Sequence, residues 1–354
     1  MTESMKTTDT QGLLHLHSLL VCTDSAARLW PLVPEHMPME LAMDPATGTS
    51  PLARAIAAVR ERSERPLLIA VPGAIAKVVQ EHIEQFGLLE ADEYHLFVEP
   101  WSRGTALTTA LAAAELKLTD PNAIMLVLPV GLDFVCDDRW EALVARAWQM
   151  AAADRIVVVG SRRPVCGGAS IGSIRPGAEV AESPGVHTVR SYTAHPTGAE
   201  AWRARQAGAL WSAHIYLVRA NLVLSELRSS EDGGRIAETA RFFALLGSEH
   251  WSSNDARELV KTLPDFSLEE ALFETSDRLV VVPTSLEFCD LASFEGVEQC
   301  LEPDRADNRF RGEVQAMDSR SVTVLADSGR TVVVRGLENV VVIDTNEGLL
   351  IYHR

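Results

Sequence analysis

The sequence predicts an α/β protein with a doubly wound, mostly parallel sheet, followed by a small all-β module at the C-terminus. Two observations support this fold class. Short buried apolar runs alternate with segments of helical periodicity through the first half of the chain. Strands separated by helices indicate parallel pairing. Beyond about residue 304 the helical period disappears, and short β-rich segments follow one another at regular spacing.

The strands and helices of the first half follow from these patterns. Apolar runs predict strands over residues 19–22, 67–71, 95–98, 123–128 and 155–160. Helical spacing predicts helices over residues 74–86, 106–117 and 140–153. Doubly wound sheets bind their ligands at the carboxyl ends of the strands. We therefore expect the functional residues directly after these apolar runs.

The second half changes character twice. Strands are predicted over residues 189–193, 210–218 and 279–282, and helices over 221–228 and 236–246. The tail shows β-rich segments over residues 321–325, 331–335, 339–344 and 349–352, separated by polar turns. Such a tail is either a solenoid or a sandwich. A polar stretch around residues 300–308 predicts the boundary, which gives domains 1–303 and 304–354.

Composition excludes several functions. The chain has 354 residues and a net charge of -17, which argues against a nucleic-acid or anionic-membrane surface but permits one basic nucleotide pocket. The five cysteines form no C-x-x-C pair, which favours reduced thiols over a disulfide frame or a zinc site. The polar N-terminus and the absence of a long apolar run predict a cytoplasmic protein.

Several motifs, in order along the chain, resemble those of one enzyme family. The first predicted strand is followed by R-L-W-P-L at 28–32, and later segments read E-P-W-S-R-G-T-A (99–106), L-V-L-P-V-G-L (126–132), W-S-A-H-I-Y (211–216) and L-E-F-C-D-L-A-S-F (286–294). These are similar to the motifs of the mannose-1-phosphate guanylyltransferases, which are sugar nucleotidyltransferases. The resemblance covers nearly the whole chain. It implies a nucleotide-diphospho-sugar transferase-like domain and a C-terminal left-handed β-helix.

The resemblance also implies a reaction and a set of site residues. Family members form GDP-mannose from GTP and mannose 1-phosphate and release pyrophosphate, a transfer that depends mostly on positioning and charge neutralisation. It assigns catalysis to Arg28 and Asp290. It assigns nucleotide binding to Ser25, Arg28, Glu99, Pro100 and Arg103, and the sugar phosphate to His195, Trp211, Ser212 and Glu274.

The family holds Mg²⁺ with two aspartates, and only the second of them, Asp290, is present here. The first position is Gly131, and Asp133, two residues further on, is the candidate to replace it. Magnesium is commonly bound by one or two carboxylates together with substrate phosphates. A shift of two residues along a strand moves a side chain by several ångströms. The Mg²⁺ cofactor is therefore expected to bind weakly.

Other departures from the family also affect charge and phosphate binding. The glycine-rich loop reads Thr23-Asp24-Ser25-Ala26, and glycine is the residue that lets a backbone approach phosphate closely. The lysine after the loop is replaced by Met39, and the glycine after the family's W-N-S is replaced by His214. A glutamate-lysine pair reads Ala194-His195, and a further lysine is Thr275.

Each candidate has an alternative interpretation that the sequence leaves open. Asp24 or Ser25 is also a suitable N-cap for a helix that follows the first strand. Arg28 can be a solvated surface residue, and Asp290 can cap a turn. The two histidines, His195 and His214, can bind phosphate when protonated, near a pKa of about 6.5, or be simply packed or solvated.

Two functional hypotheses follow. The first is a divergent guanylyltransferase with weakened or lost activity, in which Arg28, Arg103 and Asp290 carry the reaction. The second is a non-catalytic protein that binds a sugar nucleotide or regulates an active relative. Both predict GTP or GDP-mannose and mannose 1-phosphate as ligands. Both allow a homo- or hetero-oligomer formed through the C-terminal module, because such a module exposes strand edges.

Overall fold

The computed structural model describes residues 15–22, 29–35, 37–43, 48–60, 65–162, 171–181, 183–247, 251 and 253–354. Two predicted site residues, Ser25 and Arg28, lie outside the described residues. In the part that is described, no helix is long and apolar enough to cross a membrane.

The first part of the chain forms an α/β domain. Its strands are β1 (Leu16–Val21), β2 (Leu67–Pro72), β3 (Tyr94–Glu99), β4 (Ile124–Pro129), β5 (Leu132–Asp133), β6 (Ile156–Ser161), β7 (Ser173–Glu179), β8 (His187–Thr193), β9 (Leu210–Arg219), β10 (Leu279–Thr284) and β11 (Cys289–Asp290). The strands of the described main sheet lie in the order β3-β2-β1-β4-β9-β6-β10-β8-β7. Strands β5 and β11 form a separate two-stranded ribbon.

Helices cover both faces of this sheet. They are α1 (Pro51–Val59), α2 (Ala76–Gln85), α3 (Gly104–Thr119), α4 (Asp138–Ala152), α5 (Gly198–Gln206), α6 (Ala220–Leu227), α7 (Glu231–Leu246), α8 (Asn254–Lys261) and α9 (Phe294–Gln299). A short 3₁₀ helix spans Met39–Leu41, and one π-helical turn spans Glu269–Phe273. Helix α3 is rich in alanine and buried along most of its length, which allows α6 and α7 to pack closely against it.

The predicted parallel core is present at one end of the sheet. Strand β1 pairs in parallel with β2 and β4, and β2 pairs in parallel with β3. The centre of the sheet differs from the simple alternation, because β9 lies between β4 and β6 and is antiparallel to both. The fold is therefore a mixed sheet with a parallel half, and the carboxyl ends of β1 and β4 meet at one edge.

Among the elements that the sequence analysis did not predict, two carry too weak a pattern for prediction. Helix α5 has no buried residue, so it shows no apolar period. It is stabilised instead by a capping box between Thr197 and Glu200. Strand β7 contains Pro176 and is largely exposed beyond its first two residues, which removes the alternation expected of a strand.

The C-terminal module consists of β12 (Arg309–Gly312), β13 (Val314–Met317), β14 (Thr323–Ala326), β15 (Val332–Arg335), β16 (Val340–Asp344) and β17 (Leu349–His353). These strands stack in parallel, except that β17 runs antiparallel to β16. Apolar side chains join the module to the α/β domain, including Leu32, Val297 and Ile343. The hydroxyl of Thr345 donates a hydrogen bond to the carbonyl of Pro31 at 3.0 Å. The boundary after residue 303 stays a prediction.

Gly104 begins helix α3 in a conformation that requires glycine. Its φ is +73°, and a Cβ at this position would lie 2.0 Å from the carbonyl oxygen of Phe266. The same carbonyl accepts a hydrogen bond from the amide of Ala106 at 3.3 Å. The amide of Leu268 donates to the hydroxyl of Thr105 at 2.9 Å. These contacts hold the segment before the π-helical turn against the start of α3.

We expect Gly104→Ala to lower the free energy of unfolding by about 2–4 kcal/mol, because it adds a backbone clash to an unfavourable φ. Chemical denaturation measures the change. The matched control is Gly87→Ala, since Gly87 has φ +57° but an added Cβ would meet no atom within 4 Å, and it should cost about 1 kcal/mol. Equal losses in the two variants would contradict the steric argument.

Candidate functional site

A cleft of about 420 Å³ opens at the carboxyl ends of β1 and β4. Its walls come from these strand ends, the start of α3, the middle of β9, the π-helical turn and the β5–β11 ribbon. The predicted residues Asp290 and His195 line it, and so do three positions at which the sequence departs from the family: Met39, Gly131 and His214. Among the described residues that line the cleft, none is a lysine or an arginine.

Two of the departures contact each other. A Cβ added to Gly131 would lie 2.9 Å from the terminal methyl group of Met39, so the methionine occupies the space that a side chain at 131 would need. Met39 is buried and belongs to an apolar cluster with Leu29 and Val33. The positions at which the family has a lysine and a metal-binding aspartate thus form an apolar contact here.

Asp290 lies at the end of the β5–β11 ribbon. Strand β11 pairs with β5 so that Asp290 is opposite Leu132, and the amide of Ala292 donates to the Asp290 carboxylate at 2.9 Å. The hydroxyl of Ser293 donates to the Asp290 carbonyl at 3.0 Å and also caps helix α9. This local network fixes the carboxylate at the wall of the cleft.

Asp133 does not lie beside Asp290 in the cleft. It lines a second cavity of about 300 Å³, here called the junction pocket, whose walls include Arg54, Leu301 and Arg311. The guanidinium of Arg54 donates to the Asp133 carboxylate at 3.1 Å. Met39 lines both cavities and separates them. The ribbon thus directs the two carboxylates to different cavities.

The described residues therefore do not fit the two-carboxylate magnesium site that the resemblance implies. Within the described ranges, no group of three or more histidine, cysteine, aspartate or glutamate side chains could hold a metal ion. Asp290 is the one member of the predicted pair that lines the cleft.

His214 is held at the cleft wall by two buried side chains. Its Nδ1 lies 2.8 Å from a carboxylate oxygen of Glu269 and 3.2 Å from the hydroxyl of Tyr216. That hydroxyl also donates to Glu269. The amide of His214 donates to the hydroxyl of Ser212 at 3.1 Å. Glu269 begins the π-helical turn, a type of turn that is frequent at functional sites.

The pKa values of this pair favour the charged forms. Burial lowers the pKa of His214, but the hydrogen bond and charge of Glu269, with the charge of Asp290, raise it above the ordinary 6.5 overall. Burial raises the pKa of Glu269, but the hydrogen bonds and charge of His214 and Tyr216 outweigh it and lower that pKa to about 2. The direction of both shifts therefore favours an imidazolium–carboxylate pair at the wall of the cleft.

The residues predicted to bind the nucleotide base have structural partners. Glu99 is buried and accepts a hydrogen bond from the hydroxyl of Thr108 in helix α3. Burial raises the pKa of Glu99 to about 7, against the opposing effect of that hydrogen bond. Pro100 is buried beside it. The guanidinium of Arg103 donates to the carbonyl of Lys261 at 2.5 Å, which ties the start of α3 to the end of α8. None of these residues lines the cleft.

The residues predicted to bind the sugar phosphate are partly brought together. His195 lines the cleft, is exposed, and lies 3.5 Å from the carboxylate of Glu270. Glu274 accepts a hydrogen bond from the amide of Ala194 at 2.9 Å and so positions the end of β8. Trp211 and Ser212 are buried within β9 and support the cleft from behind.

Sequence reasoning misses Glu269 and Tyr216 as members of the site. Tyr216 falls within a motif but receives no role from it, and Glu269 lies in a run of acidic and apolar residues typical of a solvated helix. His214 itself could have indicated these two residues, because a histidine that replaces a glycine needs a polar partner when it is buried.

The mixed sheet, the cleft at its parallel edge and the stacked C-terminal strands define a nucleotide-diphospho-sugar transferase-like α/β protein. The structure is similar to that of mannose-1-phosphate geranyltransferase from Thermus thermophilus, with a TM-score of 0.78 over 96% of this chain and 95% of that chain, at 21% identity. At this identity the likeness supports the fold. No protein-family model matches the sequence.

Two curated proteins are similar to this chain over nearly its whole length. Alginate biosynthesis protein AlgA of Pseudomonas putida is 29% identical over 341 residues, which cover 93% of this chain and 67% of that protein. The putative mannose-1-phosphate guanylyltransferase of Vibrio cholerae is 25% identical over 344 residues, which cover 94% of this chain and 70% of that protein. The chain is thus similar over nearly its whole length to proteins that include a sugar nucleotidyltransferase, in agreement with the resemblance found in its motifs.

We expect the ion pair to stabilise the fold most between about pH 4.5 and 6.5. The raised pKa of His214 gives a contribution that is present below its unfolded value of 6.5 and is lost as the pH rises through the folded value. The lowered pKa of Glu269 gives a second contribution to stability, which is present above pH 4.5 and is lost as the pH falls towards 2.

The variant Glu269→Gln should lower the free energy of unfolding at pH 6 by about 1–3 kcal/mol, since it leaves His214 without a charged partner. Denaturation at pH 6 and pH 9 measures it, and the loss should shrink at pH 9. The control Glu258→Gln removes an exposed pair with Lys261 and should change stability by less than about 0.5 kcal/mol. A pH-independent loss in Glu269→Gln would contradict the assigned charges.

Proposed function

We propose that this protein binds a sugar phosphate or nucleotide sugar in the cleft and catalyses guanylyl transfer to mannose 1-phosphate weakly or not at all. The cleft lies where doubly wound sheets bind ligands, which supports the binding half of the proposal. The resemblance of the motifs implies the substrate class, which is GTP and mannose 1-phosphate or GDP-mannose. The Vibrio cholerae relative is named for that transfer, and the AlgA relative for alginate biosynthesis.

The observation that supports weakened transfer is the contact between Met39 and Gly131. Transfer of a nucleotidyl group requires positive charge around the phosphates as the transition state forms. Here the lysine position contributes a methyl group, and that methyl group occupies the space beside the position of the first metal ligand. Neither position therefore supplies a charge: Met39 provides no cation for the phosphates, and Gly131 provides no carboxylate for a metal ion.

We also propose that the C-terminal module is a left-handed β-helix. The support is its spacing: Val314 pairs with Val332, Thr323 pairs with Val341, and the bridged residues Arg320 and Glu338 are likewise 18 residues apart. Parallel strands at a fixed repeat are typical of a solenoid in which each coil pairs with the next.

A coupled assay for pyrophosphate release with mannose 1-phosphate, GTP and Mg²⁺ tests the catalytic half. We expect turnover well below the roughly 1 s⁻¹ at the lower end of ordinary enzymes. The double variant Met39→Lys with Gly131→Asp should raise it, because it restores both charges together. Gly131→Asp alone should raise it less, because it restores the carboxylate without the positive charge at position 39. Wild-type turnover in the ordinary range would contradict the proposal.

Any residual activity should depend on Asp290 and not on Asp133. The variant Asp290→Asn removes the carboxylate at the cleft wall, whereas Asp133→Asn removes one from the junction pocket. Calorimetry with GDP-mannose tests the binding half separately, and wild-type protein should bind it even if no pyrophosphate is released. Absence of binding would contradict the proposal outright.

A second candidate function is that of a regulatory partner of an active relative. The observation in its favour is the outer strand β17, on which Leu349 and Ile351 are each 58% exposed. Exposed apolar residues on an edge strand favour pairing with another chain. If this function is correct, adding the chain to a motif-complete relative should change that enzyme's rate, and Ile351→Lys should abolish the effect.

A further inference from the structure

His214 has a backbone conformation that its surroundings must maintain. Its φ is +55°, in the left-handed region that residues other than glycine adopt uncommonly, and in which histidine is enriched together with asparagine and aspartate. It lies within β9, whose neighbours Ala213 and Ile215 are fully buried. Unfavourable backbone conformations in non-glycine residues cluster at ligand sites, where the surrounding structure over-determines them. The conformation directs the imidazole to the cleft instead of into the core.

The orientation of the imidazole ring follows from its partners. Glu269 holds Nδ1 at 2.8 Å, and the carboxylate itself is held by the hydroxyl of Tyr216. When one ring nitrogen is hydrogen-bonded to a carboxylate, that bond determines the protonation of the other ring nitrogen, as in many catalytic and metal-binding histidines. The histidine side chain is 34% exposed while that of Glu269 is only 8% exposed. Nε2 is therefore the nitrogen that remains for a ligand in the cleft.

The charges around His214 come from a small number of groups. Glu269 contacts it directly, Asp290 acts on it through space, and Tyr216 is buried, which keeps its hydroxyl neutral because burial raises that pKa well above its ordinary value. His195 lines the same cleft but is paired with Glu270. Among the described residues that line the cleft, His214 is thus the one whose cationic imidazole is held in place by a buried carboxylate.

We propose that His214 is an anion-binding residue of the cleft and donates a hydrogen bond from Nε2 to a phosphate oxygen of the sugar phosphate or nucleotide sugar. This inference rests on the proposed function, since it names how that ligand is held. His214 lines the same cleft as Met39, the position at which the resemblance implies a lysine, so its imidazole can supply positive charge that Met39 does not. Charge-assisted hydrogen bonds to phosphate are roughly twice as strong as neutral ones.

Calorimetry with mannose 1-phosphate, GDP-mannose and mannose tests the inference on wild-type protein and on His214→Asn. Asparagine accepts the left-handed conformation and can still bond to Glu269, but it carries no charge. We expect the two phosphate ligands to bind about 10- to 100-fold more weakly to the variant, and mannose to be unaffected. A difference between the two phosphate ligands shows whether the monophosphate or the diphosphate contacts the histidine.

The pH dependence separates a charge effect from a structural one. Above pH 7 the phosphate of a monoester is fully ionised, because its second pKa is about 6. Above pH 7, wild-type affinity should therefore fall as the pH rises through the raised pKa of His214. In Glu269→Gln, which keeps a hydrogen-bonding partner without its charge, the fall should begin at lower pH, and binding should recover at pH 6. Unfolding measured on each variant confirms that it is folded.

The outcomes distinguish the two proposals. If wild-type protein binds the phosphate ligands and His214→Asn binds them equally well, the assignment of His214 is overturned while the proposed function stands. Tighter binding by His214→Gly, which carries the family's residue, would show that the imidazole blocks the cleft, and it also overturns the assignment. If wild-type protein binds neither phosphate ligand, the proposed function fails and this inference fails with it.

Discussion

The pairing of β5 with β11 is the constraint on which the geometry of the site depends. This two-stranded ribbon places Asp290 opposite Leu132 and Cys289 opposite Asp133. Neighbouring residues of a strand point to opposite faces, so two carboxylates close in space are directed to two different cavities. Gly131 and Asp133 are only two residues apart in the sequence, but no small movement would bring the carboxylate of Asp133 to the position of Gly131. A substitute metal ligand at Asp133 would require the ribbon itself to shift register.

Much of the fold was predictable because its core elements carry strong patterns. The buried runs of β1, β2, β4 and β10 and the alanine-rich helix α3 have compositions that match their burial. The antiparallel position of β9 was not predictable, because an apolar run indicates burial and contains no information on direction. Helix α5 was not predictable for a related reason: it buries no side chain, so its sequence shows no apolar periodicity.

The site was predictable only where one residue acts alone. Asp290 and His195 line the cleft, as the motifs indicate. Arg103 and Glu99 do not line it and are bonded instead to Lys261 and Thr108, which lie outside the motif. The Glu269–His214–Tyr216 group joins two distant segments of the chain. Its hydrogen bonds depend on how the π-helical turn packs against β9, which a local pattern does not encode.

Met39 is part of the wall between the ligand cleft and the junction pocket. Methionine has an unbranched, flexible side chain that adapts readily to the space around it. The junction pocket is bounded on its far side by Arg311 and Asp327 of the C-terminal module, which form an ion pair. One flexible side chain thus lines both the cleft and a pocket that the C-terminal module helps to form. The β-stranded tail is therefore separated from the ligand cleft by a single methionine, although none of its residues lines the cleft.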